Sequence, residues 1–419
     1  MGTMNPKSAV IIGMDAISPL GIDLDRQWES ALDGVSGVGP LTRFPLPEGF
    51  PVRIAGEVDG IDHLPLPFLK PREQAKWTSP LFKYALLSVD RALAASGITI
   101  TPDIAGRTAV TYGSAIGGLD AVLAADRQLM GAGKLPHPFA NPNACINMVT
   151  GKVSIHTGAT GPITTPVSAC ATGAASMIIA AMLMAQGRAD VAICGAVDFP
   201  LTAPIVAGFA TMNGAYEPRD GEPDGPPSAA SRPFSLNRRG FVVSEGAACL
   251  ILATRQFAAA HGLRPLAAVA GWSMTSDAYH VVAPRRETVQ RCMAEAVADA
   301  GIAPEAVDAV NAHAAATRIG DQVEFDAMDA LFGGKIPPVT ANKSLMGHAM
   351  GASSAIETVF ALKGMAGGQL PPTINYSPDP GIPLGTATGE RRSVAQEYVL
   401  KNAFGFGGCN ACIVLRNLA

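Results

Sequence analysis

Runs of positive charge are missing from this 419-residue chain: lysine and arginine form nothing larger than pairs such as Arg238-Arg239 and Arg391-Arg392, and the net charge is −4. A surface that neutralises successive phosphates is therefore absent, which excludes nucleic acid as a partner. Long apolar runs are missing too. The longest, ASMIIAAMLMA at 175–185, has 11 residues, against about 20 needed to span a bilayer, and it reads as a helix buried on all sides. No charged segment followed by an apolar stretch and a cleavage site opens MGTMNPKSAVIIG, so no signal peptide is expected. The cysteines (145, 170, 194, 249, 292, 409 and 412) are odd in number and sit mostly in apolar surroundings. That predicts reduced thiols in a cytoplasmic protein and argues against a disulfide framework. The only CxxC pair is Cys409/Cys412, in a strand-like segment whose alternation turns the two side chains to opposite faces, and no HxxxH exists. A zinc site is accordingly not expected.

What the chain does have is apolar mass: 48% of residues are hydrophobic and 16% charged, with 45 Gly and 33 Pro dispersed rather than clustered. Short β-branched runs are predicted as strands at 8–17, 108–116, 190–197, 248–255, 266–275, 306–315, 337–344, 397–406 and 410–417. Helices are predicted at 79–97, 287–301 and 354–368, among others. Apolar strands alternating with helices indicate an α/β protein with sheets covered on both faces. The order of elements also hints at duplication. ITTPVSACATGAASMIIAAM and PPVTANKSLMGHAMGASSAIETVF each run from a strand through a small-residue turn into a helix, and each is followed by a pair of strands. The halves divide at 1–256 and 257–419, and matched turns would bring Cys170 close to the Lys343–His348 turn.

Three residues on such turns are candidates for chemistry. Cys170, in VSACATGAASM, falls at a helix start, where unpaired N–H groups and the helix dipole favour a thiolate. A free cysteine is equally at home as small buried packing, and this stretch alone leaves both readings open. His313 follows an apolar strand and precedes small residues, as expected at a cleft, although a lone histidine is more often structural. His348 is flanked by Gly347 and Gly351, with Lys343 five residues earlier. The competing reading there is a capping turn with an incidental histidine. In NAFGFGGCNACIVL, glycines surround Phe406, so the backbone can turn its N–H groups toward an anion. A large apolar side chain at a loop tip also needs something to cover.

Taken in order, nine segments resemble the elongating β-ketoacyl-[acyl carrier protein] synthases of the thiolase superfamily over nearly the full length. They are SAVIIGMDAISPLG, YGSAIGGL, GPITTPVSACATGA, SRPFSLNRRGFVVSEGAA, SDAYH, NAHAAATRIGDQVE, NKSLMGHAMGA, PPTIN and NAFGFGGCN. The resemblance implies a thiolase-like α/β fold, two duplicated αβαβα halves forming a five-layered body. It also implies a homodimer, or a heterodimer with a related subunit. By the same resemblance Cys170 accepts the acyl group, His313 and His348 assist malonyl decarboxylation, and Lys343, paired with Glu324, fixes His348. Phe406 supplies an oxyanion N–H and a gate, Ile116 and Phe209 occupy acyl-pocket positions, and Thr317 contacts the substrate arm. The implied partner is an acyl carrier protein whose phosphopantetheine delivers the substrates, with no further cofactor. A non-condensing partner subunit and an acyltransferase using a non-malonyl acceptor are the alternatives. Four positions depart from the family pattern. Ala315 stands where a threonine is usual, Arg239 where an aspartate is usual, and Ala403 and Cys409 where Ser and Thr are common.

Overall fold

The computed structural model describes residues 8–216, 218, 225–384 and 389–419. Ten strands form the main sheet: β1 (Ala9–Ile17), β2 (Thr108–Gly113), β3 (Ile163–Thr164), β4 (Val191–Asp198), β5 (Gly246–Thr254), β6 (Ala267–Ser276), β7 (Ala309–Asn311), β8 (Val339–Thr340), β9 (Tyr398–Gly405) and β10 (Cys409–Asn417). Their spatial order is β8-β7-β9-β10-β6-β1-β5-β4-β2-β3. Read from the two edges inward, it is one five-strand pattern used twice, with β1 to β5 matching β6 to β10 in order. The pairing sense repeats as well. Within each half two contacts are parallel and two antiparallel, at corresponding places. Within the sheet, the two five-strand sets pair at Val10–Ala268 and Ile11–Ala267 on β1 and β6.

Every residue of β2, β4 and β5 is buried, so these strands read as continuous apolar runs without a solvated face. Helices α1 (Pro80–Ser96) and α2 (Asn147–Thr157) cover the outer face of the first half. α3 (Thr172–Ala185) packs on both sides against sheet, α4 (Ala203–Thr211) lies near the site, and α5 (Arg286–Asp299) with α6 (Arg318–Phe332) covers the second half. α7 (Met350–Gly367) packs against α3 between the half-sheets. The result is helix, sheet, helix, sheet, helix: the five layers expected. α3 and α7 are apolar almost all round because they form the middle layer. No helix among the described residues is long and apolar enough to cross a membrane.

One buried ion pair braces the segment beneath the site. Glu245, whose side chain is fully buried, accepts from the Arg43 guanidinium, from the Val58 N–H at 2.8 Å and from the Tyr84 hydroxyl at 2.9 Å. The neighbouring backbone holds His348, through Val242 O accepting from His348 N at 2.7 Å and Ser244 N donating to His348 O at 3.0 Å. Arg43→Met strands a buried carboxylate, which costs about 3–5 kcal/mol. Urea denaturation is expected to show a midpoint lowered accordingly with an unchanged slope. An unchanged midpoint would mean that Glu245 is held without Arg43.

Candidate active site

Three turns meet where the central helices begin. Cys170 precedes α3, one residue after Ala169, whose φ is +46°. Ala314 (φ +27°) and Ala316 (φ +64°) follow His313, and Met350 (φ +48°) follows His348. Four non-glycine residues in the left-handed region around three candidate residues hold strain of about 1–3 kcal/mol each, a cost concentrated at functional sites. The helix starts lack caps of their own. The Ala174 N–H of α3 donates to Ser354 Oγ of α7 at 3.1 Å, and the Gly351 N–H of α7 donates to Asp198 Oδ2 at the end of β4 at 2.7 Å. Each half thus caps the other half's central helix, and this locks the two turns together.

His348 Nε2 lies 3.0 Å from Cys170 Sγ, and its Nδ1 lies 2.9 Å from Ser353 Oγ. The His313 and His348 rings stand edge to face with centroids 5.6 Å apart. Phe404 packs against the first ring and Phe241 against the second. Backbone N–H groups of Cys170 and Phe406 lie near enough to the sulfur to favour its anion, and N–H groups beside a reacting sulfur are the kind of donor an oxyanion on a sulfur-bound carbonyl uses. These groups open on a cavity of about 740 Å³, which Thr317, Ala315, Arg239 and Phe406 also line.

The electrostatics run opposite to the expectation of a thiolate at a helix start. Burial pushes the Cys170 thiol up to about 12, outweighing nearby Lys343 and the two backbone donors, and the Asp198 carboxylate pushes it the same way. Burial and the positive charge of Lys343 hold both histidines well below the usual imidazole value. At neutral pH the resting site therefore holds a thiol and two neutral imidazoles. A neutral thiol donates its S–H to His348 Nε2, so Nδ1 carries the other proton and donates to Ser353 Oγ. The Ser353 hydroxyl can also turn and donate to Nδ1, which permits either tautomer.

Lys343 does not pair with Glu324. Its Nζ donates to Glu357 Oε1 at 2.6 Å and to the backbone O of His313 at 2.5 Å, so it fixes His313 rather than His348. Glu324 instead accepts from the N–H groups of His313 (2.8 Å) and Ala314 (2.7 Å) and from Asn402 Nδ2 (3.0 Å). A buried carboxylate facing three N–H donors needs no lysine. Ile116 and Phe209 do not line the open cavity. They pack with Phe406, Phe241, Met350 and Ala315 in one apolar cluster. Thr317 does line the cavity, while its Oγ1 accepts from Gly320 N at 3.2 Å as the cap of α6.

Sequence reasoning missed Asp198, Ser353, Glu357 and Lys401. Asp198 accepts from Ser114 Oγ (2.7 Å) and from the N–H groups of Ala115, Ile116 and Gly351, and burial still lifts it to about 6. The available signal was a lone charge inside an apolar element: VAICGAVD, SAIETVF and YVLKNAF each carry one.

A cysteine, two neutral histidines and backbone donors around an apolar-walled cavity agree with the family comparison. Residues 7–258 match the model of the β-ketoacyl synthase N-terminal domain, and residues 266–377 match that of the C-terminal domain. The chain belongs to the β-ketoacyl synthase family. Among curated relatives, 3-oxoacyl-[acyl-carrier-protein] synthase 2 of Staphylococcus aureus (strain COL) is 36% identical over 98% of both chains. A β-ketoacyl synthase from Burkholderia phymatum STM815 superposes with a TM-score of 0.90 at 29% identity, over 98% of this chain and 100% of that one. A ketosynthase structure solved with its type II polyketide acyl-carrier protein and bound to the hexaketide gives 0.88 at 26% identity, over 99% and 100%. As a β-ketoacyl synthase, the chain carries Cys170 at a turn where the two topologically repeated halves meet.

Proposed function

We propose that this enzyme condenses an acyl group held on Cys170 with malonyl-acyl carrier protein, extending a fatty acid or polyketide chain. The observation that carries the reading is the 3.0 Å contact between His348 Nε2 and Cys170 Sγ, with backbone donors near the same sulfur. Cys170 Sγ attacks the carrier-bound thioester as its proton passes to His348. The tetrahedral oxyanion is held by the Cys170 and Phe406 N–H groups, and the pantetheine thiolate leaves with that proton. In the second half-reaction malonyl thioester loses carbon dioxide, and N–H groups of His313 and His348 stabilise the enolate oxygen. The enolate carbon then attacks the acyl carbonyl and expels Cys170 as thiolate, which regains a proton. No organic cofactor enters these steps, because the substrates arrive on phosphopantetheine.

Lys343 and Glu324 hold His313 from its two backbone sides, and Thr317 contacts the pantetheine arm. Phe406 gates the passage from the cavity to an acyl pocket formed with Ile116 and Phe209. Ala315 offers the arm no hydroxyl, a difference of about 1 kcal/mol for one hydrogen bond, and this favours a specialised substrate or carrier. The exposed edge strand β3, with exposed Ile163 and nearby Val167, supports a dimer of related subunits, which we read as a homodimer. The free thiols support a cytoplasmic setting.

Mass spectrometry of the intact protein after exposure to acyl-carrier protein tests the reading. One acyl adduct on Cys170 and carbon dioxide release from malonyl-carrier protein are expected, and an unmodified thiol would indicate a non-condensing subunit. The pH dependence follows from the resting charges. The histidines act as neutral donors and take up protons only well below pH 6.5, so decarboxylation should stay flat from about pH 6.5 to 8 and fall on the acid side. The thiol is pushed up to about 12, so attack by pre-formed thiolate would rise tenfold per unit between pH 7 and 9, whereas transfer of the proton to neutral His348 should leave acylation nearly flat there. Such a rise would mean attack by thiolate already ionised in solution.

A further inference from the structure

A buried ring of hydrogen bonds closes beneath His313. Lys343 Nζ donates to His313 O (2.5 Å) and to Glu357 Oε1 (2.6 Å). Lys401 Nζ donates to the other oxygen of Glu357 (2.7 Å) and to Asn402 O (2.6 Å). Asn402 Nδ2 donates to Glu324 Oε1 (3.0 Å), and that same oxygen receives the His313 N–H (2.8 Å). The circuit returns to its starting residue through four segments of chain, and Lys343, Glu357, Lys401, Asn402 and Glu324 are all buried. Its formal charge is balanced, two ammonium groups against two carboxylates.

Lys343 and Glu324 touch His313 directly. Lys401 does not, yet without it Glu357 has one cation rather than two, and the Asn402 carbonyl loses the ammonium as a donor. A lysine buried without a partner is expensive, and the residues around Lys401 on β9 are buried and uncharged: Leu400, Asn402, Ala403 and Phe404. β9 also carries Phe404, whose ring lies 5.7 Å from that of His313. One strand therefore controls both the backbone beneath the imidazole and the ring beside it.

We propose that Lys401 is a positioning residue for His313: its ammonium closes the buried ring that holds the histidine backbone from both sides, and it places a second positive charge beneath the imidazole. The charged and titratable groups facing His313 are Lys343, His348 and Cys170 at the turns, Glu324 on α6 with Asp321 behind it, Glu357 on α7 and Lys401 on β9. Removing Lys401 leaves this set one unit more negative, which favours imidazolium. The proposal rests on the reading of His313 as a hydrogen-bond donor to the decarboxylating substrate.

The test compares Lys401→Met with Lys401→Met/Glu357→Gln in the full-length protein, measuring carbon dioxide release from malonyl-carrier protein between pH 5 and 9 and acylation of Cys170 by mass. In Lys401→Met, kcat at pH 7 is expected to fall about tenfold through loosened geometry. KM should stay within about twofold and acylation within about threefold, and the acid limb should move up by about one pH unit, the shift a tenfold change in imidazole protonation gives. The double variant restores charge balance, so its acid limb should return to the parental position while kcat stays low. An acid limb that does not move in Lys401→Met, or that moves equally in both variants, overturns the proposal. So does a parallel loss of acylation and decarboxylation. If Lys401→Met does not fold, parental kcat in the double variant overturns it, whereas lowered kcat with unchanged KM and acid limb supports it. Failure of the underlying reading is separate: the parent would then acylate Cys170 yet release no carbon dioxide.

Discussion

Cys170→Ala is expected to abolish condensation, a loss of at least about 10⁴-fold, while carbon dioxide release from malonyl-carrier protein stays within about threefold of the parent. The two activities separate because they use different atoms. In the proposed mechanism acyl transfer needs the sulfur, and among the described residues no other cysteine lines the cavity. In that mechanism decarboxylation needs the two imidazoles, and each keeps other partners once the Cys170–His348 contact is lost. His348 keeps its Ser353 contact and its backbone bonds to Val242 and Ser244, and His313 keeps Lys343 and Glu324. Removing the side chain beyond Cβ adds little space in a cavity already open to the sulfur, so the fold should tolerate it. Intact-mass measurement after incubation with acyl-carrier protein should show one adduct on the parent and none on the variant. An adduct persisting on the variant would place the nucleophile elsewhere.

The elements legible in the sequence were those whose local chemistry matches their place in the fold. α1 was visible at both ends, because Pro80 opens it and Gly97 closes it at φ +71°. β4 and β5 were visible as unbroken apolar runs, since both faces are covered. α7 was predicted from residue 354 and begins at Met350. Its cap is Asp198, 153 positions away in the chain, and no local pattern can announce a cap from another strand. The same reason hid the ion pairing. A glutamate in the same motif region as His313 looked like the partner of Lys343, whereas the fold carries Glu357, on the helix after the lysine's own turn, to that ammonium. The thiol was misjudged through competing magnitudes. A helix terminus contributes about 0.3–1 kcal/mol, less than the desolvation of a thiolate enclosed by apolar walls, and burial is not readable from eleven residues. The pairing of Cys170 with the His348 turn was readable, because it follows from duplication and a duplicated order of elements survives divergence of the residues.

Gly405→Ala should slow acylation of Cys170 about 100-fold, the cost of misplacing a reacting atom by roughly 1 Å, with a stability loss of only about 1–3 kcal/mol from overpacking. Gly405 ends β9 against the nucleophile turn. A Cβ there would lie 2.5 Å from Ser168 O and 3.2 Å from both Ala169 Cβ and Cys170 N. Those atoms belong to a turn already held at a positive φ, and the central helix behind it is capped by Ser354. The turn yields only by moving the sulfur away from His348 and the oxyanion donors. Gly407, two residues on, supplies the control. Its φ is +79°, but a Cβ there would meet nothing within 4 Å, so Gly407→Ala meets only backbone strain of about 1–2 kcal/mol. It should reduce acylation less than tenfold. Single-turnover acylation followed by mass, with melting temperatures for both variants, separates the two glycines. Equal loss at both would mean that loop flexibility, and not the space beside Ser168, governs the nucleophile. In the sequence Gly405 and Gly407 look alike, flanking one phenylalanine. In the fold the first is small because the catalytic turn lies against it, and the second because its backbone turns the other way.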